Sequence, residues 1–246
     1  SLYCVFPLVG IEGQIQMPIF VNSPDFEPDS ERQSLILNGI TRDEEKNVIT
    51  EVGINQKILC KLPDIFKIIV GYLSEELFNS FFNLCNGLKS VKDHEKLDKD
   101  WYKKSIVSAM REILSSYPIV TPFSTSERFL RLSDCIIAKE SKQESEYILF
   151  NLLTSLYPEK LVADNNKWAH MLWKDDDMKL WTTEDICADI EAKGSMDSLD
   201  VVSGNDKFAW YNSFLAFVLS QNELLFKEHA LLPNMNGEFL KRDVED

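Results

Sequence analysis

Arg32 is the residue with the clearest chemical potential in this chain. It follows the stretch Asn22-Ser23-Pro24-Asp25-Phe26-Glu27-Pro28-Asp29-Ser30-Glu31, in which two prolines stiffen an acidic loop. A guanidinium is permanently charged and presents a planar fork of donors. An exposed arginine at such a place can reach a phosphate on a neighbouring domain. The competing role is a surface salt bridge to Glu27, Asp29 or Glu31.

Other reactive side chains suggest less. Asp175-Asp176-Asp177 invites a calcium loop, but such a loop needs alternating oxygen ligands, a central glycine and a closing Glu. The glycine is missing, so the run reads as a solvated turn. His94, His170 and His229 pair with no cysteine at zinc-ligand spacing, and the first two read as surface residues. Cys4, Cys60, Cys85, Cys135 and Cys187 are odd in number, widely spaced and set among apolar neighbours. That pattern points to buried, reduced thiols and a cytoplasmic protein. Ser133-Asp134 beside Cys135 is not a catalytic arrangement. No GxSxG, HExxH, phosphate loop or GxGxxG occurs. The chain by itself is therefore expected to have no catalytic residue, no cofactor and no metal. Trp168, Trp173, Trp181 and Trp210 interleave with Leu and Ile, and form either core or a binding face.

The 246 residues suffice for one large or two small domains, and 44% hydrophobic content suits a globular chain. A net charge of -14 argues against nucleic acid or an anionic membrane surface as partner. Charge interrupts every apolar run well before the roughly 18 residues of a membrane helix.

The elements that must position Arg32 come first in the chain. Cys4 to Val9 reads as a strand, Gly10-Ile11-Glu12-Gly13 as a turn, and Gln14 to Val21 as a second strand. Pro18 marks that second strand as an edge. The chain opens in a strand without a starter Met, which suggests a piece of a longer protein. After a polar connection from Gly39 to Lys46, helices are expected from about Val48, with Pro63 as the first residue of a new helix. Ile65, Phe66, Ile69, Val70 and Leu73 should be its buried stripe. Another helix should start at Ser74-Glu75-Glu76 and stop near Gly87. Trp101 to Tyr117 is strongly amphipathic through Ile106, Val107, Met110, Ile113 and Leu114.

A hairpin is expected next, with strands at Ile119-Val120 and Arg128 to Leu132 around a turn at Ser124 to Glu127. Ser141 and Glu144 have capping-box spacing ahead of a helix that buries Tyr147, Ile148, Leu152, Leu153 and Leu156. Thr182 and Asp185 repeat that spacing. Asn205-Asp206 leads into a long helix carrying Phe208, Tyr211, Phe214, Leu215, Val218 and Leu219. The tail is a second hairpin, with Asn236-Gly237 favouring a type I′ turn. The two hairpins share a plan, because Phe129-Leu130-Arg131 and Phe239-Leu240-Lys241 each follow a helix, a proline and a polar turn. Either two helix-plus-hairpin modules or chance similarity of hairpins explains this. The fold class is α+β, predominantly helical, with an N-terminal β-strand pair and two hairpins. Residues 1–46 form the β-rich segment, 47–140 the first helical module and 141–246 the second.

Four short segments carry a resemblance. Phe6-Pro7-Leu8 and Pro18-Ile19-Phe20-Val21-Asn22, followed by Arg32, resemble a recurring segment of sacsin and its bacterial relatives. Leu232-Pro233-Asn234-Met235-Asn236-Gly237-Glu238-Phe239 resembles a hairpin common in the bacterial relatives, and Phe129 to Asp134 its companion. In that family the segment follows a GHKL, heat-shock-chaperone-like ATPase domain. The resemblance implies a cytoplasmic middle segment that couples an upstream nucleotide domain to downstream parts or a client protein. It also implies that Arg32 is a sensor of the nucleotide's terminal phosphate in the parent protein, itself an ATPase. The alternative is an independent protein-interaction scaffold with no nucleotide link.

Overall fold

The computed structural model describes residues 2–4, 6–7, 17–88, 91–124, 128–171, 179–202 and 206–242. The expected turn at Gly10 to Gly13 and the Asp175-Asp176-Asp177 run lie outside them. The chain divides into two compact units, Ser1–Ile119 with Met171–Asp175, and Val120–His170 with Asp176–Asp246. The fold is α+β and mainly helical, as expected from the periodicity.

In the first unit, β1 (Leu2–Cys4) pairs antiparallel with β2 (Phe6–Pro7) and parallel with β3 (Val21–Asn22). The second expected strand is not continuous, since Met17 to Phe20 is not strand, and Gln14 to Gln16 lie outside the described residues. The polar connection is a hairpin, β4 (Arg42–Asp43) against β5 (Val48–Ile49), with Asn47 at its turn at a φ of 52°. Helix α1 (Glu51–Leu59) therefore begins after Val48, and Thr50 caps it by accepting the Gly53 N–H. Gly53 is required there, because a Cβ would lie 2.2 Å from the Thr41 carbonyl oxygen.

Helix α2 (Leu62–Glu75) has Pro63 in its first turn, as its sequence predicts. Its buried positions are Leu62, Phe66 and Val70, whereas Ile65 faces outward. No new helix starts at Ser74. The chain closes α2 instead, with Leu77 N–H donating to Ser74 and Phe78 N–H to Leu73. Leu77 sits at a φ of 51°, which completes a Schellman motif without glycine.

Next come α3 (Phe81–Asn86), α4 (Lys99–Tyr102) and, after a π-helical run from Lys103 to Ser108, α5 (Ala109–Ser116). This is the expected amphipathic helix, widened in its middle. Tyr102, Ile106, Val107, Met110 and Leu114 are buried. Helix α5 packs on α2. The Tyr102 hydroxyl is buried and has no hydrogen-bond partner among the described residues.

In the second unit, Val120 and Leu130 exchange both backbone hydrogen bonds, the narrow remnant of the expected hairpin. Leu132 to Asp134 is a 3₁₀ turn. Strand β6 (Ile136–Ala138), which is fully buried, is bridged in parallel at Leu161, and Val162 is bridged to Pro122. Helix α6 (Gln143–Leu156) starts with Lys142 as N-cap, so Ser141 and Glu144 form no capping box. Its core face is Leu149, Leu152, Leu153 and Leu156, while Tyr147 and Ile148 are exposed.

Helix α7 (Asn165–Ala169) follows, then β7 (Lys179–Trp181), which pairs parallel with β6. Helix α8 (Thr183–Lys193) has the complete Thr182–Asp185 capping box and ends at Gly194. Helix α9 (Lys207–Gln221) is capped by Asp206 and packs on α6, and α10 (Leu225–Glu228) follows. On α9, Trp210, Tyr211, Phe214, Phe217 and Val218 are buried, but Phe208 and Leu219 are exposed.

Strands β8 (Leu232–Pro233) and β9 (Phe239–Leu240) form the tail hairpin. Gly237 is at a φ of 81°, but Asn236 is not at positive φ, so the turn is not type I′. The Gly237 N–H donates to Asn234 and the Asn234 N–H to Glu238, as in a type I turn closed by a left-handed bulge residue.

Two variants test these assignments. Gly237→Val places a β-branched residue at positive φ and should lower stability by about 1 kcal/mol or more, read from the urea midpoint. An unchanged midpoint would remove the turn assignment. Tyr102→Phe deletes that buried hydroxyl and should leave stability equal or raised by about 1 kcal/mol. A clear loss would mean that the hydroxyl has a partner.

Candidate functional site

Arg32 stands at the tip of a short, tightly closed loop. The ends of the loop are bridged at Pro28 and Leu35, and the Asp29 N–H donates to the Ser34 carbonyl at 2.9 Å. The Arg32 N–H donates back to the Asp29 carbonyl at 2.9 Å, with Arg32 itself at a φ of 55°. The side chain of Arg32 is exposed and makes no hydrogen bond or ion pair among the described residues.

Asp29 is the anchor. Its Oδ1 accepts the backbone N–H of Gln33 at 2.8 Å and of Ser34 at 3.3 Å. Its Oδ2 accepts the Ser34 hydroxyl at 2.7 Å and Lys96 Nζ at 2.8 Å. Burial of this carboxyl would raise its pKa. The hydrogen bonds from Lys96, Ser34 and the two backbone N–H groups outweigh burial and hold it well below the usual carboxylate range.

A second tier fixes the base of the loop. Asn55 of α1 is fully buried, and its amide accepts from Glu27 N–H at 2.9 Å and donates to the Glu27 carbonyl at 2.8 Å. It also reaches the Ile36 carbonyl at 3.3 Å. Gln56 donates to the Leu37 carbonyl at 3.0 Å, and Leu37 N–H donates to the Lys96 carbonyl at 2.7 Å. A cavity of about 540 Å³ beside the loop is lined by Pro28, Asp29, Ser30, Glu31, Glu51 and Lys96, among others.

Sequence reasoning named Arg32 but missed Lys96, Ser34 and Asn55. Asn55 left a signal, since it falls between Val52 and Leu59 on the apolar side of a helix, where only a satisfied amide can be buried. Lys96 lies in a charged link and left none.

The remaining candidates have structural roles. The His94 ring accepts the Lys96 N–H at 3.2 Å, and His229 Nδ1 pairs with Glu191 at 2.8 Å. Burial would raise the pKa of Glu191, but the bonds from His229 and the Ala230 N–H, with Lys241 nearby, hold it lowered. Ser133 donates to Asp134 at 3.0 Å within its turn. Cys85, Cys135 and Cys187 are buried free thiols, and burial pushes Cys135 and Cys187 up to about 12. Cys60 is also free but exposed, contrary to the expectation of burial, because it follows the last turn of α1.

Trp168 and Trp210 are core residues, and Trp181 packs against the core of the second unit. Trp173 lies outside the described residues. Among the described residues, no three His, Cys, Asp or Glu side chains gather as metal ligands, and no helix is long and apolar enough to cross a membrane. Compared with known proteins, the chain matches no family model, no curated protein and no solved structure.

The Asp29 anchor has a pH signature. Its pKa lies lower in the folded chain than its ordinary value of about 3.9 in the unfolded one. Its contribution is therefore complete above about pH 4 and fades as pH falls below that value. Asp29→Asn should lower stability at neutral pH by about 1–3 kcal/mol and flatten the loss of stability below pH 4, read from urea unfolding across pH. An acid limb parallel to that of the native chain would show that the carboxylate is not the anchor.

Proposed function

We propose that this chain is the non-catalytic middle segment of a sacsin-like, chaperone-related ATPase. In this reading it couples an upstream nucleotide domain to downstream parts or to a client protein, and it binds no nucleotide alone. Arg32 is the residue that meets the terminal phosphate when the domains close. The observation that carries the reading is the state of Arg32: exposed, free of any carboxylate among the described residues, and held on a loop closed by Asp29. Of the three acids that could pair with it, Asp29 is engaged by Lys96 instead. A guanidinium presented this way adds charge stabilisation where charge develops, so it acts on turnover more than on affinity.

A second reading, an interaction scaffold with no nucleotide link, is favoured by α2. Its outward face carries Ile65, Ile68 and Tyr72 at helical spacing, exposed by 49%, 74% and 63%. Large exposed apolar side chains in such a row suit a protein partner.

The two readings part at Arg32→Ala in the full-length parent. Under the first, ATP turnover should fall by about a factor of ten or more, with nucleotide affinity nearly unchanged. The isolated chain should keep its stability to within about 0.5 kcal/mol. Turnover equal to that of the unaltered parent would overturn the first reading and leave the scaffold.

A further inference from the structure

The first turns of α6 and the segment from Ala163 to Lys167 enclose a cavity of about 410 Å³ within the second unit. Two aromatic residues, Tyr147 and Phe150, line it together with Glu146. Tyr147 is 67% exposed, so the core does not account for its position. Phe150 meets Phe123 edge-on, with ring centroids 5.7 Å apart. Glu146 is buried, at 5% exposure.

The contacts of Glu146 are long. Its Oε2 faces Lys139 Nζ at 3.3 Å and the Glu140 N–H at 3.4 Å. Among the described residues its Oε1 meets His170 Nε2 at 3.6 Å, within ion-pair range but beyond hydrogen-bond reach. His170 Nδ1 is itself taken by Lys139 Nζ at 3.1 Å. Asp29 in the first unit shows what a closed carboxylate looks like, with partners at 2.7 and 2.8 Å. A carboxylate offers about four acceptor sites, so Glu146 keeps capacity that no described residue uses. The other charges in the wall, Asp164 and Lys167, pair with each other at 2.8 Å.

We propose that this cavity binds a guanidinium group, with its N–H fork on Glu146 Oε1 and its plane against Tyr147 or Phe150. A planar cation satisfies the open oxygen and gains from stacking on an aromatic face. An ammonium gains less, because Lys139 already supplies one to the same carboxylate. An anion meets Glu146 unfavourably, and the net charge of -14 draws cations to the chain. This site is separate from the Arg32 loop and stands whether or not that loop senses phosphate.

The test is calorimetric titration of the intact chain with N-acetyl-arginine amide, its citrulline counterpart and a short alanine peptide holding one arginine. The arginine amide, the peptide or both should bind saturably, about tenfold or more tighter than the neutral, isosteric citrulline compound. Equal binding of amide and peptide assigns a free guanidinium compound as ligand, and binding by the peptide alone assigns an arginine of a protein. Glu146→Gln should weaken binding about tenfold or more. Because Glu146 is buried, Tyr147→Ala is the companion variant at an exposed position, and it should weaken binding about fivefold with the unfolding midpoint unchanged. No saturable binding of either arginine compound, equal affinity for citrulline, or indifference to Tyr147→Ala and to a folded Glu146→Gln would each overturn the proposal.

Discussion

Two buried asparagine side chains, one in each unit, pair main-chain edges that no strand covers. Among the described residues the strands are two or three residues long, so their ends leave N–H and C=O groups that need other partners. Each such group, if buried and unpaired, costs about 1–3 kcal/mol. A side-chain amide carries one acceptor and one donor group, the same pair that a neighbouring strand would offer. Asn55 gives both to Glu27 and so fixes the base of the Arg32 loop to α1. Asn165 does the same for Ala138, with its Oδ1 accepting the N–H at 2.7 Å and its Nδ2 donating to the carbonyl at 2.9 Å. Asn165 also begins α7 and lines the Glu146 cavity, so one residue ends a strand pairing and shapes a wall. An aspartate at either position could accept but not donate, and a leucine could do neither.

What could be read from the sequence was mostly what short-range chemistry decides. Pro63 marks a helix start because it lacks the N–H that a first turn leaves orphaned, and the Thr182–Asp185 pair and Asp206 do so because they bond to such groups within three residues. The same spacing failed at Ser141 and Glu144. There the backbone enters the helix from Lys142, and the buried carboxylate two residues past Glu144, that of Glu146, takes the Glu140 N–H instead. The break after α2 could not be read because a leucine stands where a glycine signals a stop. Strands β6 and β7 were missed for another reason. A parallel strand buried on both faces has no alternation to betray it, and Lys179 to Trp181 becomes a strand only by meeting β6.

The candidate sites differ in the same way. Arg32 was legible as a charge on a stiffened loop, but its surroundings come from residues far along the chain. Lys96 is drawn to Asp29 by folding, across a link that reads as solvated charge. Tyr147 was assigned to a buried stripe because its spacing from Leu152 and Leu156 is nearly helical. In the folded chain the apolar arc of α6 is centred on Leu149 and Leu153, which turns Tyr147 outward. An aromatic ring at the margin of such an arc is the residue that periodicity places least well.

Backbone conformation gives the last distinction. Among the described residues three that are not glycine have positive φ: Arg32, Asn47 and Leu77. Asparagine tolerates that region, and Asn47 also accepts a bond from Arg42 across its own turn. Leu77 bears a cost of about 1–2 kcal/mol but closes α2 through two backbone bonds. Arg32 bears the same cost, yet its side chain returns no bond to the described structure. Glycine would form the same turn without that cost. The Arg32 N–H does close the loop on Asp29, but that turn does not require an arginine, and a guanidinium held outward on a loop closed by Asp29, Ser34 and Lys96 is suited to a use elsewhere. This is why Arg32, rather than the exposed row on α2, carries the functional proposal: the α2 row sits on regular helix and bears no comparable cost.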